Sequence, residues 1–346
     1  MDDILQQWLT QAFHQKASDV HITVGKAPVF RINGLLLEQD FPVLQPSDTE
    51  RMGRSLLSDH EWQMLQERRE LDFSCGISGV SRFRVNLFYQ RGALSLAFRI
   101  VPRHIPSIEE LHLPPIAKEI TTERQGLVLV TGPTGSGKST TLAAMLDFMN
   151  QTMGRHMITL EDPIEYVHTH HYSIIDQREI GIDTNSFLNG LRASLRQDPD
   201  VILVGELRDL ETISTAITAA ETGHLVLGTL HTSGAVSTIE RMIDVFPPAQ
   251  QTQIRIQLAS ILKAVISQQL LPTTDGTSRR VATEVLINTP AVKNLINNEK
   301  LHQIQNVLQT SKAQGMHTMD MDLKRLLNEG VVAYETVAPF LEIREV

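Results

Sequence analysis

The chain has 346 residues, 41% of them apolar and 21% charged, and this composition is typical of a globular protein of about two domains. Its formal net charge of −9 disfavours stable nucleic-acid binding, because proteins that bind duplexes usually present a basic face to the phosphates. A single cysteine, Cys75, excludes an intramolecular disulfide and zinc sites built from paired cysteines.

The sequence carries no recognisable targeting or membrane-spanning signal. It begins Met-Asp-Asp, without the basic start and apolar core of a secretory signal peptide. It also lacks a run of about 18 or more apolar residues, the length that a transmembrane helix needs. We therefore expect a cytoplasmic protein in a reducing compartment, associated with a membrane only peripherally and through a partner.

Residues 1–100 predict a small α+β domain. Apolar residues at helical spacing predict an amphipathic N-terminal helix that packs on its own domain, and a second helical stretch is expected at about 48–68. Alternating apolar and polar residues predict half-buried strands at 20–24, 29–32, 82–88 and 94–100. The next segment, 101–118, is rich in proline and typical of a linker.

Residues 119–346 predict a second, α/β domain. Short continuous apolar runs alternate here with helical patterns, which is typical of a mostly parallel sheet whose strands are buried on both faces. The runs that predict strands are 127–130, 157–160, 201–204 and 225–230. From about residue 247 onward the pattern predicts a mostly helical C-terminal part.

A phosphate-binding loop follows the first strand of this second domain. It fits the pattern G-x-x-x-x-G-K-[ST] and leads into a helix with one apolar face, a context that argues against a chance match. We expect Lys138 to reach the β- and γ-phosphates of ATP and the Ser139 hydroxyl to ligate Mg²⁺. The nucleotide-binding residues are Gly132, Pro133, Thr134, Gly135, Ser136, Gly137, Lys138, Ser139 and Thr140.

Acidic residues follow two of the predicted strands. Glu206 leaves the strand 201–204 at its carboxyl end, where ligands bind in open α/β sheets, and is therefore the better candidate for magnesium than Asp200, which enters that strand. Glu161 leaves the strand 157–160 at the same edge, where it is placed either to polarise an attacking water or to be a surface acid.

Two groups of histidines need separate interpretations. His231 follows the strand 225–230 at the same sheet edge, which leaves γ-phosphate sensing and a packing role equally open, whereas His224 precedes that strand. His168, His170 and His171 form a cluster that suggests metal binding, although adjacent imidazoles in a polar loop are more often solvated.

Four motifs in this order resemble the secretion/pilus ATPase superfamily, and within it the PilT-type ATPases that retract type IV pili. The stretches 17–22, 31–34, 266–272 and 315–320 extend the similarity over nearly the whole chain. The four motifs are a Walker A motif at 132–140, an acidic box at 158–166, a Walker B motif at 198–209 and a histidine box at 222–232.

The resemblance implies a PAS-like N-terminal domain, a RecA-like P-loop ATPase domain and a hexameric ring with ATP bound between domains. It also implies that Glu161 is the general base, that Glu206 acts on magnesium through water and that His231 lies near the γ-phosphate. Arginines of the N-terminal domain would complete a neighbour's site, and the candidates are Arg82, Arg84, Arg91 and Arg99.

The resemblance further implies a hexameric Mg-ATP-hydrolysing motor that drives pilus retraction, and hence twitching motility, by acting on an inner-membrane platform protein. A start at the PAS-like domain and one cysteine favour retraction over extension ATPases. The family motif at 291–296 has Lys293 for arginine, and His317 and Met321 replace glutamines. The alternatives are a PilU-like accessory protein, a DNA-uptake or secretion motor, and a nucleotide-gated scaffold with little turnover.

Overall fold

The computed structural model describes residues 1–102 and 104–341. The chain forms two compact units, Met1–His104 and Ile105–Val346. Residue 103 of the predicted linker and residues 342–346 of the predicted second domain lie outside the described residues. The proline-rich stretch after residue 104 belongs to the second unit, where Ile108 and Leu113 are buried in its core.

The first unit is an antiparallel six-stranded sheet with three helices. The strand order is β3-β2-β1-β6-β5-β4, and one apolar cluster that contains Phe30, Phe83 and Phe98 fills its core. The strands are β1 Asp19–Ile22, β2 Val29–Ile32, β3 Leu35–Glu38, β4 Glu70–Ile77, β5 Ser81–Gln90 and β6 Ala93–Ile100. The helices are α1 Asp3–His14, α2 Pro46–Arg54 and α3 Asp59–Arg68.

The sequence pattern misses three features of this unit. The predicted helix at 48–68 is two helices, because the Ser58 side chain accepts from Glu61 N and the Glu61 carboxylate accepts from Ser58 N, a reciprocal cap that starts α3. Strand β3 has every residue exposed, so its apolar run shows no alternation. Strand β4 is exposed or half-buried except at its last residue, Ile77, and was not predicted either.

The second unit is built on a seven-stranded sheet in the order β13-β12-β7-β11-β10-β8-β9. All neighbouring strands are parallel except β12 and β13. The strands are β7 Gly126–Thr131, β8 His156–Glu161, β9 Ile174–Glu179, β10 Val201–Val204, β11 Leu225–Leu230, β12 Leu262–Pro272 and β13 Arg279–Ile287.

Helices cover both faces of this sheet, and each face has its own apolar core. The α-helices are α4 Ile116–Thr121, α5 Lys138–Thr152, α6 Phe187–Ser194, α7 Leu210–Glu221, α8 Ala235–Asp244, α9 Pro248–Ile261, α10 Pro290–Asn297, α11 Ile304–Thr310, α12 Met319–Asn328 and α13 Tyr334–Val337. Short 3₁₀ helices occupy Leu301–Gln303, Lys312–Gln314 and Ala338–Phe340. Within the described chain, no helix combines the length and apolarity that crossing a bilayer requires.

The mixed α/β architecture agrees with the prediction, but the C-terminal part needs a correction. The segment after residue 247 contains the long strands β12 and β13 as well as helices. Most of β12 is buried and β13 is buried over six consecutive residues, so neither strand alternates in a way that separates it from a buried helix. Strand β12 pairs with β7 and extends the sheet beside the phosphate-binding loop.

Candidate nucleotide site

The loop at 132–137 joins the fully buried strand β7 to helix α5. Gly132 has φ +143°, and a Cβ atom there would lie 2.4 Å from the carbonyl oxygen of Gln268 on β12. Gly137 has φ +91°, in the left-handed region that side chains disfavour, and it caps the N-terminus of α5. The two glycines let the backbone pass close to β12 and then turn sharply into the helix.

Lys138 lies folded over this loop. Its Nζ donates to the carbonyl oxygens of Gly132 at 2.8 Å and Pro133 at 3.0 Å. Burial lowers the pKa of Lys138, while the nearby carboxylates of Glu206 and Glu165 act to raise it. The ammonium group therefore lies at the loop with two acids facing it, where it is able to meet a phosphate oxygen.

The loop also presents polar groups that the protein leaves available. The first amide bond of α5 runs from Thr141 N to Gly137 O at 2.9 Å, so the amides of the preceding residues have no partner within the helix. The side chain of Ser136 is buried, and within the described part of the chain its Oγ makes no hydrogen bond. Such a set of donors at a helix N-terminus suits an anion.

Glu161 ends strand β8 at the same edge of the sheet. Its Oε1 accepts from the Thr159 hydroxyl at 2.6 Å and from Gln177 Nε2 at 3.0 Å. Burial raises the pKa of this carboxyl above its usual value, and the two side-chain hydrogen bonds only partly offset that effect. A half-buried carboxylate of raised pKa at this edge is suited to accept a proton.

Glu206 leaves strand β10 and is held by two basic side chains. Its Oε2 lies 2.7 Å from Arg208 Nη2, and its Oε1 lies 3.3 Å from His231 Nε2. The hydrogen bond from Arg208 is the main cause of a lowered pKa for Glu206. The structure thus brings Glu206 and His231 together, as their positions at strand ends predicted, and adds Arg208 to them.

Asp200 and His224 lie at the opposite edge of the sheet. Asp200 lies at the opposite end of β10, and its Oδ2 accepts from His156 N at 2.8 Å, which gives it a structural role. The Nδ1 of His224 lies 3.0 Å from the Ala219 carbonyl oxygen at the end of α7. Neither residue lies at the edge where the phosphate-binding loop is found.

The histidine cluster does not converge on one point. His168 is buried, and burial lowers its pKa to about 4. His170 Nδ1 accepts from the backbone amide of Ile175, so that imidazole fixes the start of β9. Within the described part of the chain, no group of three or more His, Cys, Asp or Glu side chains is arranged to hold a metal ion.

The four candidate arginines of the first unit lie at two ends of the β5–β6 hairpin. Arg82 and Arg84 lie on one face of β5, and Arg84 is directly opposite Arg99 on β6. Arg82 donates to Ser74 Oγ, and Arg99 Nε donates to Asp19 at 3.0 Å. Arg91 instead occupies the turn after β5, with φ +49°. At about 3.3 Å per residue it lies roughly 30 Å along the strand from Arg82.

The sequence pattern did not single out three side chains that contact the acids. Arg208 comes two residues after Glu206, yet its spacing alone does not distinguish a solvated arginine from an ion-pair partner. Gln177 lies on β9, which was not predicted because a polar strand at the sheet edge gives no continuous apolar run. Thr159 lies inside β8, and only the strand's alternation places it on the same face as Glu161.

The chain is similar to known proteins over nearly its whole length. The family model described as "Type II/IV secretion system protein" matches residues 1–337. The type IV pilus retraction ATPase PilT of Pseudomonas aeruginosa is 45% identical over 331 residues, which cover 96% of each chain. The twitching motility protein of Neisseria gonorrhoeae is 49% identical over 308 residues, 89% of this chain and 82% of that one.

A solved structure agrees with these relatives. The crystal structure of the pilus retraction motor PilT with bound ADP superposes with a TM-score of 0.89 at 49% identity, covering 95% of this chain and 94% of that one. The family assignment therefore rests on similarity over almost the whole chain, and not on the four motifs alone. The chain belongs to the family of type II/IV secretion system proteins.

Proposed function

We propose that this protein is an ATP-hydrolysing motor that powers the retraction of type IV pili. The observation that carries the proposal is the convergence, at one sheet edge, of a phosphate-binding loop with Glu161, Glu206 and His231. Similarity to a retraction ATPase over 96% of the chain supports the same function. P-loop ATPases depend on such an arrangement, because phosphoryl transfer is catalysed mainly by positioning and charge.

The residues of the site fit a magnesium nucleotide. The cradle at Gly132, which a Cβ would fill, and the Ser136 Oγ, which has no hydrogen-bond partner among the described residues, suit phosphate oxygens. One hydroxyl, from Ser139, and one carboxylate, from Glu206, suit Mg²⁺, which usually keeps several waters and substrate oxygens as its other ligands. When bound, the ion would neutralise charge on the phosphates.

Each polar group then has a role that follows from its environment. Glu161, with its raised pKa, accepts the proton of the attacking water. Lys138 stabilises negative charge at the phosphates, and the hydrogen bond from Arg208 favours the ionised form of Glu206. His231, which is held by Glu206, is placed to report the γ-phosphate to the loop that follows β11.

Catalysis is tested by phosphate release from the purified protein. We expect steady-state release from ATP with Mg²⁺ and none once EDTA removes the ion. A protein that binds ATP tightly and releases no phosphate with Mg²⁺ would instead be a nucleotide-gated scaffold, and the motor proposal would fail.

Assembly is the second part of the proposal. We propose a homo-hexameric ring in which the PAS-like first unit supplies an arginine to the neighbour's site. Arg82, Arg84 and Arg99 are the favoured candidates because they share one end of the β5–β6 hairpin, whereas Arg91 lies at the other.

The shared site is tested by mixing two inactive variants. A Lys138→Ala protein and a triple variant with alanine at 82, 84 and 99 should regain part of the activity together, because a mixed interface pairs an intact loop with intact arginines. Arg91→Ala is the matched single control and should leave activity unchanged. No recovery on mixing, and activity that persists in a demonstrated monomer, would contradict a shared site.

The place of action follows from the same assignment. We propose that the protein works at the inner face of the cytoplasmic membrane, bound peripherally to a platform protein of the pilus. Deleting its gene should give cells that carry more pili and do not twitch. Cells without pili would indicate an extension ATPase, and cells that twitch normally would indicate an accessory or secretion role.

A further inference from the structure

Four polar side chains lie together on one face of the two outermost parallel strands. In the register of β8 and β9, Thr159 is opposite Gln177 and Glu161 is opposite Glu179. The preceding residues on this face, Met157 and Ile175, pack in the core beneath helix α5. Because side chains alternate along a strand, the polar ones continue the α5-covered face toward the carboxyl edge of the sheet.

The Gln177 side chain makes three hydrogen bonds at this edge of the sheet. Its Nε2 donates to Glu161 Oε1 at 3.0 Å and to the Tyr166 carbonyl oxygen at 2.8 Å. Its Oε1 accepts from His168 N at 2.8 Å. One side chain therefore fixes both the base and the loop that follows it.

The same loop returns to the phosphate-binding helix. The Tyr166 hydroxyl lies 3.1 Å from Thr140 Oγ1, in the first turn of α5. A chain of contacts thus runs from Glu161 through Gln177 and Tyr166 to Thr140. A side chain in the middle of such a chain is able to set the position of the base relative to the phosphates.

We propose that Gln177 is the positioning residue of the general base, which orients the Glu161 carboxylate and holds it against the loop at 162–171. The proposal rests on the proposed role of Glu161 as base. The hydrogen bonds of Gln177 are with Glu161 and with the backbone of that loop, so we place its action through Glu161. The loop contacts of the same amide make the orientation of the base depend on the loop that bears Tyr166.

The charged groups around Glu161 determine how a change at Gln177 will affect the pKa of Glu161. Glu165, in the following loop, raises the pKa of Glu161 by repulsion. Glu179, beside it on β9, is buried and accepts from Ile164 N. Lys138 on α5 is the nearby cation and interacts with Glu165. The side-chain hydrogen bonds from Thr159 and Gln177 favour the charged form of Glu161, and a backbone hydrogen bond at Glu165 adds to them.

The test is the pH dependence of hydrolysis in a single turnover, which isolates the chemical step from product release. Gln177→Met keeps the length of the side chain and removes its donor. We expect the acidic limb of the rate profile to move up by about one pH unit, since losing a donor to a carboxylate raises its pKa. Affinity for ADP should stay within about twofold.

Asn288→Leu is the matched control. Asn288 is also half-buried, and it donates to the backbone carbonyls of Ala259 and Leu262 at the opposite edge of the sheet. Its loss should cost stability without moving the pH profile. A profile that shifts equally in both variants would mean a general loss of structure and would overturn the proposal.

Gln177→Glu is the second variant, which retains shape even if the methionine variant folds poorly. A third carboxylate beside Glu161 should move the acidic limb further than methionine does. The double variant Glu161→Gln with Gln177→Glu should remain inactive, because position 177 orients the base and is not one. Recovery of activity in that protein would contradict the proposal.

The variants distinguish a wrong positioning role for Gln177 from a wrong assignment of Glu161 as the base. If Glu161→Gln hydrolyses ATP normally, Glu161 is not the base and the role given to Gln177 falls with it. If Glu161→Gln is inactive while both Gln177 variants keep the parental pH profile, Glu161 stands as the base and the positioning role is wrong.

Discussion

Two acids at one sheet edge are held in opposite ways. Glu161 lies among a hydroxyl, an amide and another carboxylate, and burial raises its pKa. Glu206 lies against Arg208 and His231, and the arginine lowers its pKa. The two residues follow parallel strands that are direct neighbours, β8 and β10. Both lie at the same sheet edge, so their difference comes from how deeply each carboxyl is buried and from the side chains around it.

The contrast supports the proposed division of roles between the two acids. A general base needs a carboxylate that accepts a proton readily, and raising its pKa strengthens it as a base. A residue at a magnesium site needs to stay ionised, and a neighbouring cation secures that state. Pairs of carboxyls whose environments separate their pKa values mark such a division of roles in many active sites.

The largest effect is expected from Lys138, the cation of the phosphate-binding loop. Lys138→Ala should lower turnover by about 10³-fold or more and also weaken nucleotide binding, because the ammonium group aimed at the phosphates is lost. Phosphate release and binding of a fluorescent ADP analogue measure the two effects. Lys324→Ala, at an exposed site on α12, is the control. Near-normal activity in Lys138→Ala would contradict the assignment of the loop.

The second largest effect is expected from Glu161, the acid whose pKa is raised. Glu161→Gln should lower single-turnover hydrolysis by about 10²- to 10⁴-fold and leave nucleotide affinity nearly unchanged, since an amide does not accept the proton of the water. A Glu240→Gln protein, with the same change on the exposed surface of α8, serves as the comparison. Loss of binding together with hydrolysis would mean that Glu161 holds the nucleotide.

A smaller effect is expected from the second acid, Glu206. Glu206→Gln should raise the Mg²⁺ concentration needed for half-maximal activity by about 10- to 100-fold, the range found when a residue that supports a metal site is changed. A magnesium titration at saturating ATP measures it. A lower maximal rate at every magnesium concentration, with no change in the midpoint, would place Glu206 in the chemistry instead.

Much of this comparison was predictable from the sequence, and some of it was not. The P-loop pattern and the acids at strand ends are local signals, so the sequence alone predicts that Lys138, Glu161 and Glu206 lie at one edge of the sheet. The partners that separate the two acids depend on register. Gln177 faces Glu161 only because β9 pairs with β8, and β9 is a polar edge strand without an apolar run.

The arginines of the first unit show the same limit. Sequence spacing groups Arg82, Arg84, Arg91 and Arg99 as one basic set. The hairpin register instead brings Arg84 opposite Arg99 and puts Arg91 in the turn. The register of a hairpin is fixed by the type and length of its turn, which the spacing of basic residues along the sequence does not show.

The smallest effect concerns the partner of Glu206. Arg208→Met should lower the Mg²⁺ midpoint by up to about fivefold. A glutamate stays ionised near neutral pH without this cation, and its removal from an exposed ion pair takes away a competitor for the carboxylate. The magnesium titration used for Glu206→Gln measures it. A raised midpoint would show that Arg208 supports the metal site and does not compete with it.

The most direct test of the division between the two acids is the nucleotide that each glutamine variant retains. Both proteins are incubated with Mg²⁺ and ATP, freed of unbound nucleotide and extracted for chromatography. We expect Glu161→Gln to retain ATP, because it binds the substrate and does not cleave it, and Glu206→Gln at high Mg²⁺ to retain ADP. ATP retained by Glu206→Gln and ADP by Glu161→Gln would reverse the two roles and contradict the account.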